Sequence, residues 1–582
     1  MLVHCRRYKS RKDPRNRAHN LRATRLRRVQ AGEDLFPRSP DQLLRENFSE
    51  RLFDYVIKEA QAVAEYFDED IVPAAVQGVY QADKSGDHEY MHDHKEALSA
   101  FVADLENVRD SDQDWHPGTD ELVLDLVHPS LYCLEDGKTK VLPTETIDSP
   151  ADSLRFINAG DVLPVKVNKP PENPAPLWSH HRPRDPEDEF QWLPTDVTIT
   201  YSGHGTENRV QCEFQSYINN VHPVKQKAAY DVLAGILTRF VPMFNHVLTD
   251  LISEDETRID SLQKGFYEDD SGDEGDQAKF AWGVRQHELD ERSSGNDAGD
   301  GGGNESEAEE EEDEKWVEWQ HERIIAYPTI PDDIVPVWLR EGLVTYSTKD
   351  ASSVIYPGNQ WQVIVKIANI ELTPEKPKYA GGSWHLEGTP REDIVATGIY
   401  YYSINNITSS RLSFQCAFDT DESADWPYEQ DDHVGIQEVM GVVNSEPATQ
   451  HLGAVEAVEG RCIVFPNTYQ HKVEPFSLAD PTRPGHRKIL CFFLINPQNE
   501  AVLSTSKVPP QQSEWFWEEV RNTVPKMRTL PPEILAKVGH YVDSPTTLDQ
   551  AKERRQRFME SRKAKAGVVD SQFYEDVSLC EH

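Results

Sequence analysis

The sequence predicts an α+β protein: a β-barrel flanked by helices and preceded by a helical N-terminal region. Three observations carry this. The run Trp361-Gln-Val-Ile-Val-Lys-Ile-Ala-Asn-Ile-Glu-Leu372 is rich in β-branched residues and mostly alternates, as a strand does, and similar stretches come after it. Residues 42–67 and 228–251 instead repeat apolar residues at helical spacing. The third is a set of phrases between Tyr379 and Pro497: Gly381-Gly-Ser-Trp-His385-Leu-Glu387-Gly388, Phe465-Pro-Asn-Thr-Tyr-Gln-His471 and His486-Arg487-Lys-Ile-Leu490.

At 582 residues the chain exceeds one ordinary core and suggests two or three folded units with connectors. A net charge of −41 argues against direct nucleic-acid binding, because phosphates repel an acidic surface. The 7 cysteines are scattered and form no C-x-x-C pair, which fits free thiols in a reducing compartment. No run approaches the roughly 20 apolar residues of a membrane span. The N-terminus lacks the apolar centre of a secretory signal. The expectation is an intracellular protein, cytoplasmic or nuclear, without a membrane partner.

In chain order, residues 1–40 form a basic tail, with arginines from Arg6 to Arg28 that suit either a targeting segment or simple disorder. Residues 41–150 read as mostly helical, with amphipathic helices over 42–67 and from about Lys95 to Val108. Between them His92-Asp-His94-Lys-Glu96 offers metal-ligand types, but its polar setting reads as a solvated helix entry. Residues 151–253 are mixed α/β: a proline-rich connector over 164–186, strands near Val197–Tyr201 and from Gln211, a turn histidine at His222, and a helix over 228–251 interrupted by Pro242. Residues 254–315 lose apolar periodicity and end in Glu309-Glu-Glu-Glu-Asp-Glu314, an acidic disordered insertion. The barrel occupies 316–510, with strands expected at 361–372, 396–404, 411–415, 461–465, 471–476 and 487–495. Residues 511–582 form C-terminal helices: Trp515 and Trp517 cover the barrel, and residues 547–563 make a charged, exposed helix.

A mononuclear ferrous centre that activates oxygen needs two imidazoles and one carboxylate on one side of the metal. On a strand, residues i and i+2 share a face, so His385 and Glu387 are expected to project together. His471 opens a later strand and supplies the second imidazole. Arg487 then begins the apolar run Ile489–Ile495, where a guanidinium suits the far carboxylate of a dicarboxylic cosubstrate by bidentate pairing. Tyr400 and Tyr402, two apart on the intervening strand, either hydrogen-bond that cosubstrate or pack in the core.

With these residues the chain resembles the 2-oxoglutarate and Fe(II)-dependent oxygenases, particularly their prolyl-hydroxylase-like branch. The resemblance implies a double-stranded β-helix (a jelly-roll or cupin-like barrel), with His385, Glu387 and His471 as iron ligands, catalytic in that role, and Arg487 as the 2-oxoglutarate anchor. Glutamate stands where aspartate is more usual. The implied reaction is hydroxylation or demethylation of a small molecule or a protein side chain. A closer resemblance, carried by Ser216-Tyr-Ile-Asn-Asn-Val-His-Pro223, Trp361–Lys366, Gly381–Gly388, Ala396–Tyr402, Pro484–Leu490 and Val508–Gln512, is to an uncharacterised fungal family known only as a domain of unknown function. The alternatives are a non-catalytic barrel that binds a ligand or acts as a scaffold, and a cupin-like metal enzyme without 2-oxoglutarate.

Overall fold

A computed structural model describes residues 71–83, 88–165, 189–202, 209–252, 360–417 and most of 443–573, with a few isolated positions besides. The basic tail, the acidic insertion, residues 316–359 and nearly all of the 42–67 helix and the proline-rich connector lie outside these residues. By its contacts the chain divides into Met1–Ala62 and Val63–His582, and the second unit carries all the strands and helices named below.

The strands that build the site are β1 (Val72–Pro73), β2 (Tyr80–Ala82), β3 (Val123–Val127), β4 (Thr195–Ser202), β5 (Arg209–Phe214), β6 (Gln360–Leu372), β7 (Lys378–Tyr379), β8 (Ile394–Asn405), β9 (Arg411–Ala417), β10 (Thr449–Glu456), β11 (Cys462–Pro466), β12 (Gln470–Val473), β13 (Phe476–Ser477) and β14 (Gly485–Ile495). The helices that matter are α1 (His88–Glu106), α2 (Lys227–Ile252), α3 (Ser513–Thr523) and α4 (Leu548–Phe573). A nine-stranded antiparallel sheet runs β1-β2-β11-β8-β14-β6-β4-β5, with β3 also paired to β6. A three-stranded sheet, β10-β9-β12, and the pair β7-β13 complete the site-bearing part.

The large sheet is apolar on both faces, and each face has its own cover. Its outer residues, among them Val363, Val365, Tyr400, Val464, Phe492 and Leu494, form one core with α1 and α2. Its inner residues, among them Ile364, Ile399, Tyr401, Phe465, Cys491 and Phe493, share a second core with Leu412 and Phe414 of β9 and Val455 of β10. Burial on both faces explains why β8 and β14 read as near-continuous apolar runs rather than alternating ones. Gly398 marks the closest approach of α2: a Cβ there would lie 2.6 Å from Phe240 and 3.1 Å from Phe244.

Several expectations are corrected. The helix over 228–251 is not interrupted, because α2 runs through Pro242. Phe240, Val241, Met243 and Phe244 are fully buried around it, and that burial offsets the roughly 3 kcal/mol an internal proline costs. Helix α1 starts at His88 rather than near Lys95, so the histidine-rich stretch forms its first turns, and His94 packs on Gly235 of α2. The C-terminal helix α4 is not simply exposed: Ala551, Arg554, Arg555 and Phe558 are buried. Its buried arginines are paired, Arg554 with Glu135 at 2.8 Å and Arg555 with Asp114 at 2.6 Å, which makes their burial tolerable. In α3, Trp515 packs beside Tyr217 and His222. His222 is the turn histidine expected, its Nδ1 accepting from the backbone N–H groups of Val224 and Lys225.

Candidate metal centre

The chain leaves β7 and crosses to β8 through the irregular segment 380–393, which carries the His-x-Glu. Here the strand expectation fails: His385 makes only an isolated antiparallel bridge to His471, each backbone N–H donating to the other's carbonyl at 3.2 and 3.0 Å. The same pairing extends to Gly382, whose N–H donates to Val473. The pairing therefore fixes His385 against β12, while pleat alone does not align Glu387 with it.

Asn467 aligns Glu387. Its Oδ1 accepts from the Glu387 N–H at 2.9 Å, and its Nδ2 donates to the carbonyls of Glu387 and Ile394 at 2.9 and 3.0 Å. The segment is braced from behind by Glu392, which accepts from Trp192 N–H at 2.7 Å and from Thr389. From α4, Arg562 donates to the Gly388 carbonyl at 3.2 Å and stacks 4.1 Å over Trp192. In the sequence Asn467 reads only as a turn residue before His471, and neither Glu392 nor Arg562 stands out. All three act through distant backbone, and sequence spacing carries no signal for that.

The three side chains converge. Glu387 Oε1 lies 3.6 Å from His385 Nε2 and 3.5 Å from His471 Nε2, and donor atoms of all three lie within 4.8 Å of one another. His385 Nδ1 donates to the Ser383 carbonyl at 2.8 Å, which turns its Nε2 towards Glu387. Burial alone would raise the Glu387 carboxyl, but His385 and His471 outweigh it and hold it well below the usual carboxylate range. Burial, helped by the neighbouring His385, lowers His471 and keeps its imidazole neutral. A carboxylate at Glu387 and a neutral imidazole at His471 are the protonation states a divalent metal requires of them. His471 is walled by Phe465 at 4.8 Å and Phe414 at 6.5 Å, whereas the side chain of His385 is 46% exposed, so the cluster opens on its His385 side.

Arg487 lies on the inner face of β14, buried at 2% exposure. Its Nη2 donates to Tyr401 Oη at 3.2 Å and its guanidinium sits 4.8 Å over the Tyr401 ring. Its Nε has no hydrogen-bond partner, and among the described residues no carboxylate pairs with it. Of the two readings of Tyr400 and Tyr402, core packing is the one the structure places them in, since both lie in the core under α1 and α2. The tyrosine between them, Tyr401, faces Arg487. In three consecutive tyrosines parity is the only clue, and Gly398, pressed against α2, marks the even positions as outward.

A family model described as "Protein of unknown function (DUF4246)" matches residues 50–519. The chain belongs to this family. No curated protein matches it. Solved structures similar to parts of this DUF4246 chain include a bsmA homolog from Methylobium petroleophilum PM1, at 13% identity over 25% of this chain and 45% of that one, TM-score 0.15. Another is described as the Fe(II)/(alpha)ketoglutarate-dependent dioxygenase TqaL, at 13% identity over 28% of this chain and 50% of that one, TM-score 0.15. A third is EvdO2 from Micromonospora carbonacea var. aurantiaca complexed with 2-oxoglutarate, at 13% identity over 23% and 52%, TM-score 0.12. The DUF4246 chain thus spans about half the length of these structures.

The DUF4246 chain holds a second group of two histidines and a carboxylate that sequence spacing does not reveal: His116, Asp125 and His128. His116 Nδ1 lies 2.8 Å from Asp125 Oδ2, and His128 Nε2 lies 3.9 Å from the same oxygen. His128 Nδ1 accepts the Ser130 N–H at 3.2 Å, so the proton of the neutral ring is on Nε2, the nitrogen nearer Asp125. Arg555 stands 3.7 Å from Asp125. Burial brings His128 down to about 3, and Asp125, which burial raises, is brought down to about 2 by His128 and His116.

Among the described residues one helix, 227–251, is long and apolar enough to cross a membrane. It is α2, with 67% of its most apolar window buried within the protein.

Proposed function

We propose that this chain is an intracellular Fe(II)- and 2-oxoglutarate-dependent oxygenase, a hydroxylase or demethylase, built on a jelly-roll barrel. The observations that carry the reading are the His385, Glu387 and His471 cluster and, on the inner face of β14, a buried guanidinium without a carboxylate partner among the described residues. An unpaired buried charge costs several kcal/mol, so Arg487 is suited to pairing with an anion. Strand order supports the barrel: β6, β8, β11 and β14 lie in the large sheet, and between them the chain crosses to the smaller sheets through β7, then β9 and β10, then β12 and β13.

His385, Glu387 and His471 would hold the metal, with Asn467 fixing the backbone that carries Glu387. Arg487, steadied by Tyr401, would take the distal carboxylate of 2-oxoglutarate. Iron and this cosubstrate together supply oxidising power that no side chain offers. Phe414 and Phe465 exclude water from the His471 side, and the substrate approaches from the exposed His385 side. Glutamate in the carboxylate position is accommodated because Glu387 lies on an irregular segment, where Asn467 rather than a strand sets its reach.

The test is anaerobic addition of Fe(II) and 2-oxoglutarate to the purified chain, followed by admission of oxygen. One 2-oxoglutarate bound per metal and oxygen-dependent succinate are expected. A metal-loaded protein that binds no 2-oxoglutarate would leave a metalloprotein of another kind.

A further inference from the structure

Arg487 is accompanied on the inner face by a second cation. Lys366 of β6 stands directly opposite Cys491 of β14, in a register without a bulge from Val363 to Leu372. Opposed residues of an antiparallel pair share a face. Cys491 belongs to the inner core, so the Lys366 side chain enters the space between the sheets, on the same side as Arg487. Electrostatically it reaches Glu387, Tyr379, Asp125 and His128. It is half-buried, and among the described residues it makes no hydrogen bond and no ion pair.

Among the described residues, the two carboxylates on which its charge acts, Glu387 and Asp125, are already committed. Glu387 lies between His385 and His471, and Asp125 is held by His116 at 2.8 Å with Arg555 at 3.7 Å. Charge balance gives the same answer. A divalent metal neutralised by Glu387 leaves one positive charge, and Arg487 and Lys366 add two. A dicarboxylate cosubstrate removes two. One positive charge then remains in a partly buried space, where an unmatched charge is costly.

We propose that Lys366 receives an anionic group of the substrate, a carboxylate or a phosphate, so that the compound oxidised here is an acid. This rests on the proposed function and extends it to substrate class. An ammonium is a compact point charge that accepts either anion without the bidentate geometry an arginine imposes.

The test uses the full chain loaded with Zn(II) and saturated with 2-oxoglutarate, titrated calorimetrically with acetate in one arm and inorganic phosphate in the other. One probe is expected to bind at a single site, and which one binds identifies the anion. Lys366→Met should weaken that binding at least about tenfold and Lys366→Arg only about threefold, with 2-oxoglutarate affinity unchanged in both. The proposal is overturned if neither probe binds the wild type, or if Lys366→Met binds it equally well. It is equally overturned if Lys366→Met loses 2-oxoglutarate as Arg487→Met does, which would make Lys366 part of the cosubstrate anchor. A parallel titration without 2-oxoglutarate separates the two ideas: a chain that binds the probe through Lys366 but never binds 2-oxoglutarate sinks the proposed function and leaves the Lys366 anion site standing. Unchanged thermal melting of Lys366→Met confirms that the lost binding is local.

Discussion

Two clusters among the described residues have the same composition, two histidines and one carboxylate with donor atoms within 4.8 Å, yet they differ in how those atoms are already engaged. In the His385, Glu387 and His471 cluster, the hydrogen bond from His385 Nδ1 to Ser383 leaves Nε2 free to coordinate, and among the described residues no lysine or arginine contacts the carboxylate. In the His116, Asp125 and His128 cluster the carboxylate already has a histidine at 2.8 Å and an arginine at 3.7 Å, and the His128 lone pair is used by Ser130. Ligand type and proximity are therefore insufficient. What separates a metal centre from a structural network is which nitrogen carries the proton, and what already neutralises the carboxylate.

Removing ligands should break this comparison most sharply. His385→Ala and His471→Ala are each expected to reduce Fe(II) affinity by more than the roughly 10–100-fold typical of losing a residue that merely orients a ligand. His116→Ala should leave it unchanged by anaerobic equilibrium dialysis. Asp125→Ala should act the opposite way, leaving metal binding intact while destabilising the fold by about 3 kcal/mol in urea denaturation, because Arg555 and two histidines lose a buried partner.

Subtler changes sharpen the contrast. Asn467→Ala leaves every ligand in place but releases the Glu387 backbone, and should weaken metal binding about tenfold. Arg562→Ala acts on the same segment through Gly388 and should cost only a few-fold, about 1 kcal/mol or less. The smallest expected effect is on pH dependence. His128 goes from an ordinary 6.5 to about 3 in the fold, so between those values the unfolded chain binds the extra proton. Stability should therefore fall as pH drops from 6.5 towards 3. Asp125, at about 2 against an ordinary 3.8, adds a contribution present above 3.8 and lost below it. A urea midpoint that falls less between pH 7 and pH 5 in His128→Asn than in the wild type would assign the first part to this ring.

The three candidate ligands and Arg487 are legible in the sequence because each sits in a distinctive phrase, and β6, β8 and β14 are legible because their apolar runs are long. Treating His385 and Glu387 as strand neighbours picks out two residues that do converge, but by the wrong physics, since the alignment comes from Asn467 and from the bridge to His471. The sequence leaves the two readings of Tyr400 and Tyr402 open because strand β8 is apolar on both faces, so alternation cannot tell Tyr401 from its neighbours. Strand β10 is hidden because it is an edge strand with few buried residues. The second cluster is invisible for a simpler reason. His116 and His128 flank an ordinary strand, and only its pairing to β6 buries Asp125 between them.

The most direct test of the central claim is the stoichiometry of anaerobic Fe(II) binding to the wild type, His471→Ala and His128→Ala, measured in one series. One iron per chain is expected in the wild type and in His128→Ala, and none in His471→Ala. Iron that survives in His471→Ala, or that is lost in His128→Ala, would contradict the account.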